Sequence, residues 1–518
     1  MRFIKTQRKI NMPNSEIPWK KVAVFDLNHG GLTIAKHLAS CGISVTAFDT
    51  YGKMDLAQLE KKFDFKMSND PDLLSAEFEI VCLPIHLSPL NPFYKKAKHL
   101  EIPLISHHEI VGRLLRADRR LNDITLIEIT GIRGKTSTAI LLAQMLSADR
   151  KIAAHTSKGL MYWEENEVKH TEQSISITPA HILDIIDIAF DKFKPDTFIF
   201  EISLGFTGAQ DIAILTEIDP EYTIAGNTIT STTAKTKMIS GSKENSIFVV
   251  NDHDLEKVKK YIRSNQKIVV YDDTGDAAKD EVPTDVYLNI SKLKDGQQTV
   301  DVESSGNDVC FRAKVSPGYD IFSYRTALSA SIAAALEIGV TEQQITQAIE
   351  SFSGIEGRMH EYEEGTRLVM DNSGSGLTIQ TAQTALDYMI HKYLDKKSDY
   401  YDSNVKRDIY FVIGEEEKTV CEGLEPTDVA ALVKAYEKDL CKVIFVGERL
   451  KKFAGEKELQ KSLQKSSQKK LQNELQKESD DDIIENVVFA DTFKDGLKKA
   501  LHDSKNDDIV ITAVKCFR

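Results

Sequence analysis

The chain has 518 residues, which exceeds what one hydrophobic core usually fills, so about three domains are expected. Acidic residues outnumber basic ones by 79 to 66, the net charge is −13 and no long basic stripe occurs, which argues against nucleic acid as a partner. Scattered cysteines without a CxxC pair, no signal-like apolar segment and no run of about 18 apolar residues predict a soluble, cytoplasmic protein without a membrane partner.

The first segment of the chain alternates short apolar strands and helices, as in a doubly wound α/β fold. The pattern predicts a strand over 22–25 and a helix over 32–40. The turn between them, DLNHGG, lacks the GxGxxG fingerprint, so NAD binding is not favoured. It places His29 beside Gly30 and Gly31 at the carboxyl end of a parallel strand, where ligands of such sheets bind.

Two further loops of this segment carry histidine after a strand. His86 lies in the loop LPIHL, and His107 and His108 lie in the loop SHHE. Because these loops and the His29 turn are expected to share one sheet edge, the four imidazoles can either bind a metal or bridge the carboxylates of an anionic ligand. The spacing leaves both interpretations open.

A strand, a glycine loop and a helix follow one another at 125–146. Gly131 and Gly134 let the backbone approach a polyphosphate, the amides at the helix start point at the anion, and Lys135 reaches the outer phosphates. Thr136 offers a hydroxyl group to Mg²⁺. The other loop residues expected to contact the nucleotide are Ile132, Arg133 and Ser137. The segment therefore predicts a nucleoside triphosphate site.

A carboxylate and a histidine stand at two other strand ends of this region. Glu201 lies near the end of a hydrophobic strand at 196–202, where an acid next to a phosphate loop usually holds or orients Mg²⁺. His155 opens the small polar turn HTSKG. Both are candidate catalytic residues.

Four segments occur in a fixed order: the loop GIRGKTST, the strand IFVVND at 247–252, the turn GIEGR ending at Arg358 and the strand end LVMDNS containing Asp371. They are similar to the TGTNGKTT loop, VVNxDD segment, GxxGR linker and DxxHNP strand end of the Mur ligase family, whose members use ATP to activate a carboxylate as an acyl phosphate. The resemblance implies an α/β architecture of three domains: a Rossmann-like substrate-binding domain over 1–118, a central P-loop ATP-binding domain over 119–355 and a Rossmann-like Mur ligase-type domain over 356–518.

The resemblance also implies roles for residues outside the phosphate loop. Lys235 falls where the family has a lysine that carries a carbamate and bridges Mg²⁺, with Lys237 and Lys243 nearby in the chain. Arg358 is the counterpart of the arginine that reaches the nucleotide phosphates, and Asp371 of the acid that touches the ribose. Threonines replace the family's histidine before Lys235, so the number of Mg²⁺ ions stays open.

Short motifs resemble one branch of the family, the coenzyme F-430 synthetases of methanogenic archaea. They are DLNHGG, LPIHL, SHHE, HTSKG and the terminal VKCFR. This resemblance implies an ADP-forming ligase that phosphorylates a carboxylate of a nickel tetrapyrrole seco-acid and closes a carbocycle by attack of a ring carbon, with ATP and Mg²⁺ as cofactors and nickel only as part of the substrate. His29 or His155 would accept the proton of the carbon nucleophile. The expected substrate contacts are His29, Gly30, Gly31, His86, His107 and His108.

Two other functions fit the same residues. One is a Mur-type ligase that forms an amide between an amino acid and a carboxylate, and the other is a tetrapyrrole-binding protein that ATP gates without ligation. A monomer or a homodimer is expected. The polar, tyrosine-rich stretch 393–407 and the low-complexity stretch 457–482 resemble insertions, the second a solvated surface helix followed by an acidic loop.

Overall fold

The chain forms two compact units in a computed structural model that describes residues 16–172, 175–274, 284–292, 298–416, 423–455 and 487–516. The described part of the first unit runs up to residue 315 and continues over 324–351. The second unit comprises 316–323 and the described residues from 352 onward. The predicted division at residues 118 and 119 falls within the first unit, between its two large sheets.

The first sheet has five parallel strands in the order β3-β2-β1-β4-β5. Its strands are β1 (Lys21–Phe25), β2 (Ser44–Phe48), β3 (Lys66–Ser68), β4 (Ile80–Leu83) and β5 (Leu104–Ser106), and its helices are α1 (Leu32–Ser40), α2 (Leu56–Glu60), α3 (Pro92–His99) and α4 (His107–Ala117). Four of the five β1 residues are buried because helices cover both faces of such a sheet. The strand order reverses between β1 and β4, which is where doubly wound sheets bind ligands.

The second sheet of the first unit has eleven strands in the order β18-β17-β16-β15-β14-β11-β6-β10-β7-β8-β9. The strands of this region, including the separate hairpin β12–β13, are β6 (Thr125–Thr130), β7 (Ile152–Thr156), β8 (Gly159–Glu164), β9 (Glu167–Glu172), β10 (Thr197–Glu201), β11 (Ile212–Leu215), β12 (Thr223–Ile224), β13 (Ile229–Thr230), β14 (Ile247–Asn251), β15 (Lys267–Tyr271), β16 (Val286–Lys292), β17 (Gln298–Ser304) and β18 (Val309–Lys314). The centre is parallel and both edges are antiparallel.

Two parts of this region stand out. The strands β15 to β18 extend the main sheet, because β15 pairs with β14 and β16 with β15. The strands β12 and β13 have two residues each and pair in an antiparallel hairpin. Positive φ angles at Ala225, Gly226 and Asn227 turn the chain back there.

The helices of this region are α5 (Lys135–Leu146), α6 (His181–Lys192), α7 (Ser231–Thr236), α8 (Asp252–Val258), α9 (Arg325–Ile338) and α10 (Glu342–Ser351). Every residue of α5 from Thr136 to Leu146 is buried, because the helix packs on strands of the sheet and also against α9 and α10. Among the described residues, no helix combines the length and apolarity needed to cross a membrane.

The second unit contains a six-stranded sheet in the order β19-β20-β24-β21-β22-β23, parallel except for the hairpin β19–β20. Its strands are β19 (His360–Glu364), β20 (Arg367–Asp371), β21 (Ile409–Glu415), β22 (Leu440–Val446), β23 (Val487–Ala490) and β24 (Ile509–Lys515), and its helices are α11 (Ile379–Tyr393), α12 (Pro426–Ala435) and α13 (Phe493–Asp503), with a further helical segment at 448–455. The stretch 394–408 contains turns but no helix or strand. The predicted insertion at 457–482 lies outside the described residues.

Candidate active site

The phosphate loop connects β6, in the interior of the large sheet, to the buried helix α5. Gly131 and Gly134 have φ angles of 150° and 78°, which residues other than glycine rarely adopt. A Cβ atom at Gly131 would lie 2.0 Å from the Thr216 hydroxyl, so only glycine fits. The loop therefore leads its backbone amides into the start of a twelve-residue helix, which is a favourable position for a phosphate group.

Lys135, the first residue of α5, folds back over this loop. Its ammonium group donates to the carbonyl oxygens of Gly131 at 3.2 Å and Ile132 at 3.3 Å. The amide of Ile132 donates to the Glu217 carbonyl at 2.7 Å, which fixes the loop against the residues after β11. Burial raises the pKa of the Glu217 carboxyl group above its ordinary value, and the positive charge of the exposed Arg133 side chain offsets only part of this rise.

Three oxygen-bearing groups meet beside the loop. Glu201, buried at the end of β10, accepts hydrogen bonds from the Thr136 hydroxyl at 2.7 Å and from the Ser157 amide at 2.9 Å. The hydroxyl oxygens of Thr136 and Ser157 are 3.1 Å apart. A carboxylate and two hydroxyl groups are the hard oxygen donors that Mg²⁺ prefers, so the residues present suit that ion.

Lys235 in α7 is 1% exposed, and its ammonium group lies 5.1 Å from the centre of the Tyr222 ring and 3.4 Å from its hydroxyl oxygen. Burial and the positive charge of Lys135 lower the pKa of Lys235 from 10.5 to about 8. Of the two neighbouring candidates, Lys237 is exposed and Lys243 forms an ion pair with Asp211 at 2.9 Å. Lys235 is therefore the desolvated lysine of the three.

The turns after β1 and β4 bring His29 and His86 together around Asp26, and we call these three residues the Asp26 cluster. Asp26 is fully buried, and its Oδ2 atom lies 2.8 Å from His29 Nδ1 and 3.6 Å from His86 Nε2. The two imidazole rings are perpendicular, with centres 5.4 Å apart. Burial alone would raise the pKa of Asp26, but contacts with His86 and His29 outweigh it and hold that pKa below its ordinary value.

Three other candidate histidines point into the protein. The Nε2 atoms of His107, His108 and His155 lie 3.1, 3.1 and 2.9 Å from the backbone carbonyl oxygens of Phe25, Ser203 and Ile175, respectively. Burial lowers the pKa values of His107, His108 and His155 to about 3, 4 and 4, respectively, so all three are neutral at physiological pH. The structure thus separates the four first-sheet histidines into a half-exposed pair and a buried pair.

Two candidate nucleotide contacts lie in the second unit. Asp371 is buried at the end of β20, where its Oδ1 atom accepts from the Thr512 hydroxyl at 2.9 Å and from the Ser373 amide at 3.2 Å. Arg358 is half-buried in the turn before β19, and its amide donates to the Ile355 carbonyl at 2.9 Å. Asp371 is thus held rigidly by its own sheet.

Residues 361–516 match the family model described as "Coenzyme F430 synthetase CfbE, C-terminal domain". The coenzyme F(430) synthetase of Methanosarcina acetivorans is 37% identical over 450 residues, which are 84% of this chain and 92% of that protein. The chain belongs to the coenzyme F430 synthetase family. Its membership in this branch of the Mur ligases makes it an ATP-dependent ligase.

Solved structures confirm the Mur ligase fold predicted for this coenzyme F430 synthetase family member. The ligase "UDP-N-acetylmuramoylalanyl-D-glutamyl-2,6-diaminopimelate--D-alanyl-D-alanyl ligase" from Acinetobacter baumannii superposes with a TM-score of 0.51 and 13% identity, covering 80% of this chain and 78% of that one. The MurF ligase of Thermotoga maritima in complex with ADP gives a TM-score of 0.50 and 15% identity, covering 86% and 92%. At these identities the likeness concerns the fold alone.

Sequence reasoning missed two residues of the site in this coenzyme F430 synthetase family member. Ser157 lies in the HTSKG turn after β7, and β7 is the direct parallel neighbour of β10, so its turn meets Glu201. Asp26 stands at the first position of the DLNHGG turn, three residues before His29. The available signal was a carboxylate close to a histidine at a strand end. The contact with His86 could not be foreseen, because His86 lies far from Asp26 in the chain.

Proposed function

We propose that this ligase uses ATP to phosphorylate a carboxylate of a nickel tetrapyrrole seco-acid and then closes a carbocycle by attack of a ring carbon on the acyl phosphate. The carboxylate takes the terminal phosphoryl group and ADP leaves; the carbon then bonds to the acyl carbon and phosphate leaves. The observation that carries the proposal is the convergence of Thr136, Ser157 and Glu201 beside the phosphate loop, in a chain 37% identical to a coenzyme F(430) synthetase.

The first step joins two anions, so positive charge must be concentrated on the phosphoryl group that is transferred. Lys135 supplies one such charge, and the loop amides from Gly131 to Ser137 bind the remaining phosphate oxygens. Thr136, Ser157 and Glu201 would hold Mg²⁺, which supplies further charge neutralisation when bound. In the second unit, Arg358 is assigned to the phosphates and Asp371 to the ribose.

Lys235 is proposed to carry a carbamate. A lysine reacts with carbon dioxide only as a free amine, and a pKa of about 8 leaves about a tenth of Lys235 neutral at pH 7. Carbamate formation would convert a buried cation beside Lys135 into an anion. This anion could accept a hydrogen bond from Lys135 or bind Mg²⁺. The charge of Lys135, which disfavours the ammonium form of Lys235, would then stabilise its carbamate.

The carbon nucleophile must lose a proton before it attacks. His155 is 1% exposed, and its Nε2 atom faces the Ile175 carbonyl, so it is poorly placed to take a proton from a substrate. The two histidines of the Asp26 cluster are half-exposed at the carboxyl ends of β1 and β4. We therefore assign proton removal to the Asp26 cluster and substrate contact to its residues His29 and His86, with Gly30 and Gly31 shaping the turn, and give His107 and His108 supporting positions.

The test is mass spectrometry of the product after incubation of the purified chain with ATP and the nickel seco-acid. Ring closure predicts loss of one water from the substrate together with ADP and phosphate. A product that has gained an amino acid would instead establish amide ligation. ATP hydrolysis with an unchanged tetrapyrrole would identify a nucleotide-gated binding protein.

A further inference from the structure

The Asp26 cluster has a geometry that a simple ion pair does not require. Two imidazoles from different turns converge on one buried carboxylate oxygen, Oδ2 of Asp26, at 2.8 Å from His29 and 3.6 Å from His86. The second distance is too long for a hydrogen bond. Among the residues that the structure describes, no other group of three His, Cys, Asp or Glu side chains has its ligand atoms within 4.8 Å of one another.

These distances are those of ligands around a small metal ion. Ligand atoms about 2.1 Å from an ion lie about 3.0 Å apart at octahedral angles and about 3.4 Å apart at tetrahedral angles. The observed separations of 2.8 and 3.6 Å bracket this interval, so small side-chain rotations would admit the ion. We propose that Asp26, His29 and His86 bind a divalent transition-metal ion of the Zn²⁺ class, at a site separate from the Mg²⁺ site beside the phosphate loop.

The ligand set selects the class of ion. Two imidazoles and one carboxylate suit Zn²⁺, Co²⁺, Ni²⁺ or Fe²⁺, whereas Mg²⁺ and Ca²⁺ prefer oxygen donors. The other ring nitrogen of His29 lies 3.2 Å from the side-chain amide of Asn28. When His29 Nδ1 binds the ion, its Nε2–H can donate to the amide oxygen after rotation of the Asn28 side chain, which is the outer support that metal-bound histidines usually have.

The surroundings hold the cluster in place on one side and leave it open on the other. A Cβ atom on Gly30 would lie 2.5 Å from Ala180 Cβ, so the His29 turn packs tightly against the segment before α6. The side chains of His29 and His86 are 41% and 33% exposed, whereas Asp26 is buried. Three protein ligands with an open side are typical of metal sites that bind a further ligand.

The open position would take an anionic oxygen, such as a substrate carboxylate, and this assignment of a ligand rests on the proposed function. With both imidazoles bound to the ion, neither is a free base, so removal of the carbon proton would fall to an oxygen ligand of the ion. The metal site itself depends only on Asp26, His29 and His86.

The experiment uses the full-length chain, freed of metal with a chelator and titrated with Co²⁺ in excess Mg²⁺, which occupies the oxygen site. We expect one Co²⁺ per chain with a visible absorption band, and displacement of Co²⁺ by Zn²⁺. His86→Ala is expected to weaken Co²⁺ binding at least about 100-fold, and Asp26→Asn similarly.

The matched control is His502→Ala, which removes a histidine that pairs with Asp503 at 2.9 Å; within the described part of the chain this pair has no third metal-ligating side chain beside it, so Co²⁺ binding should stay unchanged. Because His86 is half-exposed, His86→Ala should fold even if Asp26→Asn does not. Equal Co²⁺ affinity in His86→Ala and the unmodified chain, or no binding in excess Mg²⁺, would overturn the site. Lys135→Ala should keep Co²⁺ binding while losing ATP turnover, so failure of the metal site and failure of the proposed reaction are distinguishable.

Discussion

The phosphate loop and the Asp26 cluster occupy equivalent places in two sheets of the first unit. Each site follows the carboxyl end of an interior parallel strand, which is β6 in the large sheet and β1 in the first sheet. In the phosphate loop, the functional atoms come mainly from consecutive residues, 131–137. In the Asp26 cluster they come from two turns that are far apart in the chain. The first site is thus built by local backbone geometry and the second by strand order.

Because of this difference, we expect the two sites to be sensitive to different kinds of substitution. The phosphate loop depends on glycine φ angles and on a helix start, both set within seven residues. The role of each histidine depends on the direction in which its side chain points from the sheet edge. Even the adjacent residues His107 and His108 contact different parts of the unit. Five experiments test this contrast.

The largest effect is expected for Lys135→Ala in the phosphate loop. Loss of the cation nearest the transferring phosphoryl group should lower ATP turnover by about 1,000-fold or more. Phosphate release in the presence of the tetrapyrrole substrate measures it. Lys169→Ala, which removes a lysine on β9 paired with Glu165 and Glu167, is the control and should retain full turnover. Substantial turnover in Lys135→Ala would discard the site assignment.

Glu201→Gln should lower kcat by about 100-fold and raise the Mg²⁺ concentration needed for half-maximal rate. The amide keeps the size of the side chain but removes the negative charge that Thr136 and Ser157 surround. Thr136→Ser, which keeps a hydroxyl group, should lose far less activity than Thr136→Val. An unaltered Mg²⁺ dependence in Glu201→Gln would place the ion elsewhere.

The two kinds of histidine should differ in their contribution to stability. His107→Ala removes a buried side chain that donates to the Phe25 carbonyl, and should lower the free energy of unfolding by about 2 kcal/mol. In chelator-containing buffer, half-exposed His86→Ala should change it by less than about 0.5 kcal/mol. Denaturant titration of both variants measures this, and equal losses would contradict the separation into buried and half-exposed pairs.

Carbamate formation on Lys235 should increase with pH. Because its pKa lies at about 8 rather than 10.5, the neutral fraction of Lys235 rises from about a tenth at pH 7 to about nine-tenths at pH 9, roughly a tenfold gain. Carbon-13 NMR of the nucleotide-free chain under labelled carbon dioxide at fixed dissolved concentration reports the carbamate. The signal should vanish in Lys235→Arg and persist in Lys237→Arg; the reverse result would move the assignment to Lys237.

The smallest effect is expected for Arg133→Ala, because the side chain is exposed and solvent screens its charge. The KM of the Arg133→Ala variant should rise about threefold or less for one of the two anionic reactants, ATP or the tetrapyrrole. Measuring KM separately for ATP and for the tetrapyrrole shows which anion Arg133 meets. A loss near that of Lys135→Ala would instead make Arg133 part of the phosphate-binding machinery.

Much of the fold was predictable because its signals are local. The strand over 22–25 and the helix over 32–40 lie where the apolar pattern predicts them, because the spacing of apolar residues and the glycine turns determine such elements. The strands β15 to β18 belong to the main sheet, which no local pattern indicates, because pairing partners are set by the sheet as a whole. The same reason explains why Ser157 and Asp26 were missed.

The phosphate loop, the order of the Mur ligase segments and hence the family are readable from the sequence alone, because each depends on a few neighbouring residues with fixed backbone requirements. The packed structure was needed to show that Lys235 is the buried lysine among three and that His29 and His86, but not His107 and His108, stand half-exposed around Asp26. Burial and convergence are properties of packed elements, and they set the pKa values and the ligand geometry on which the chemistry depends.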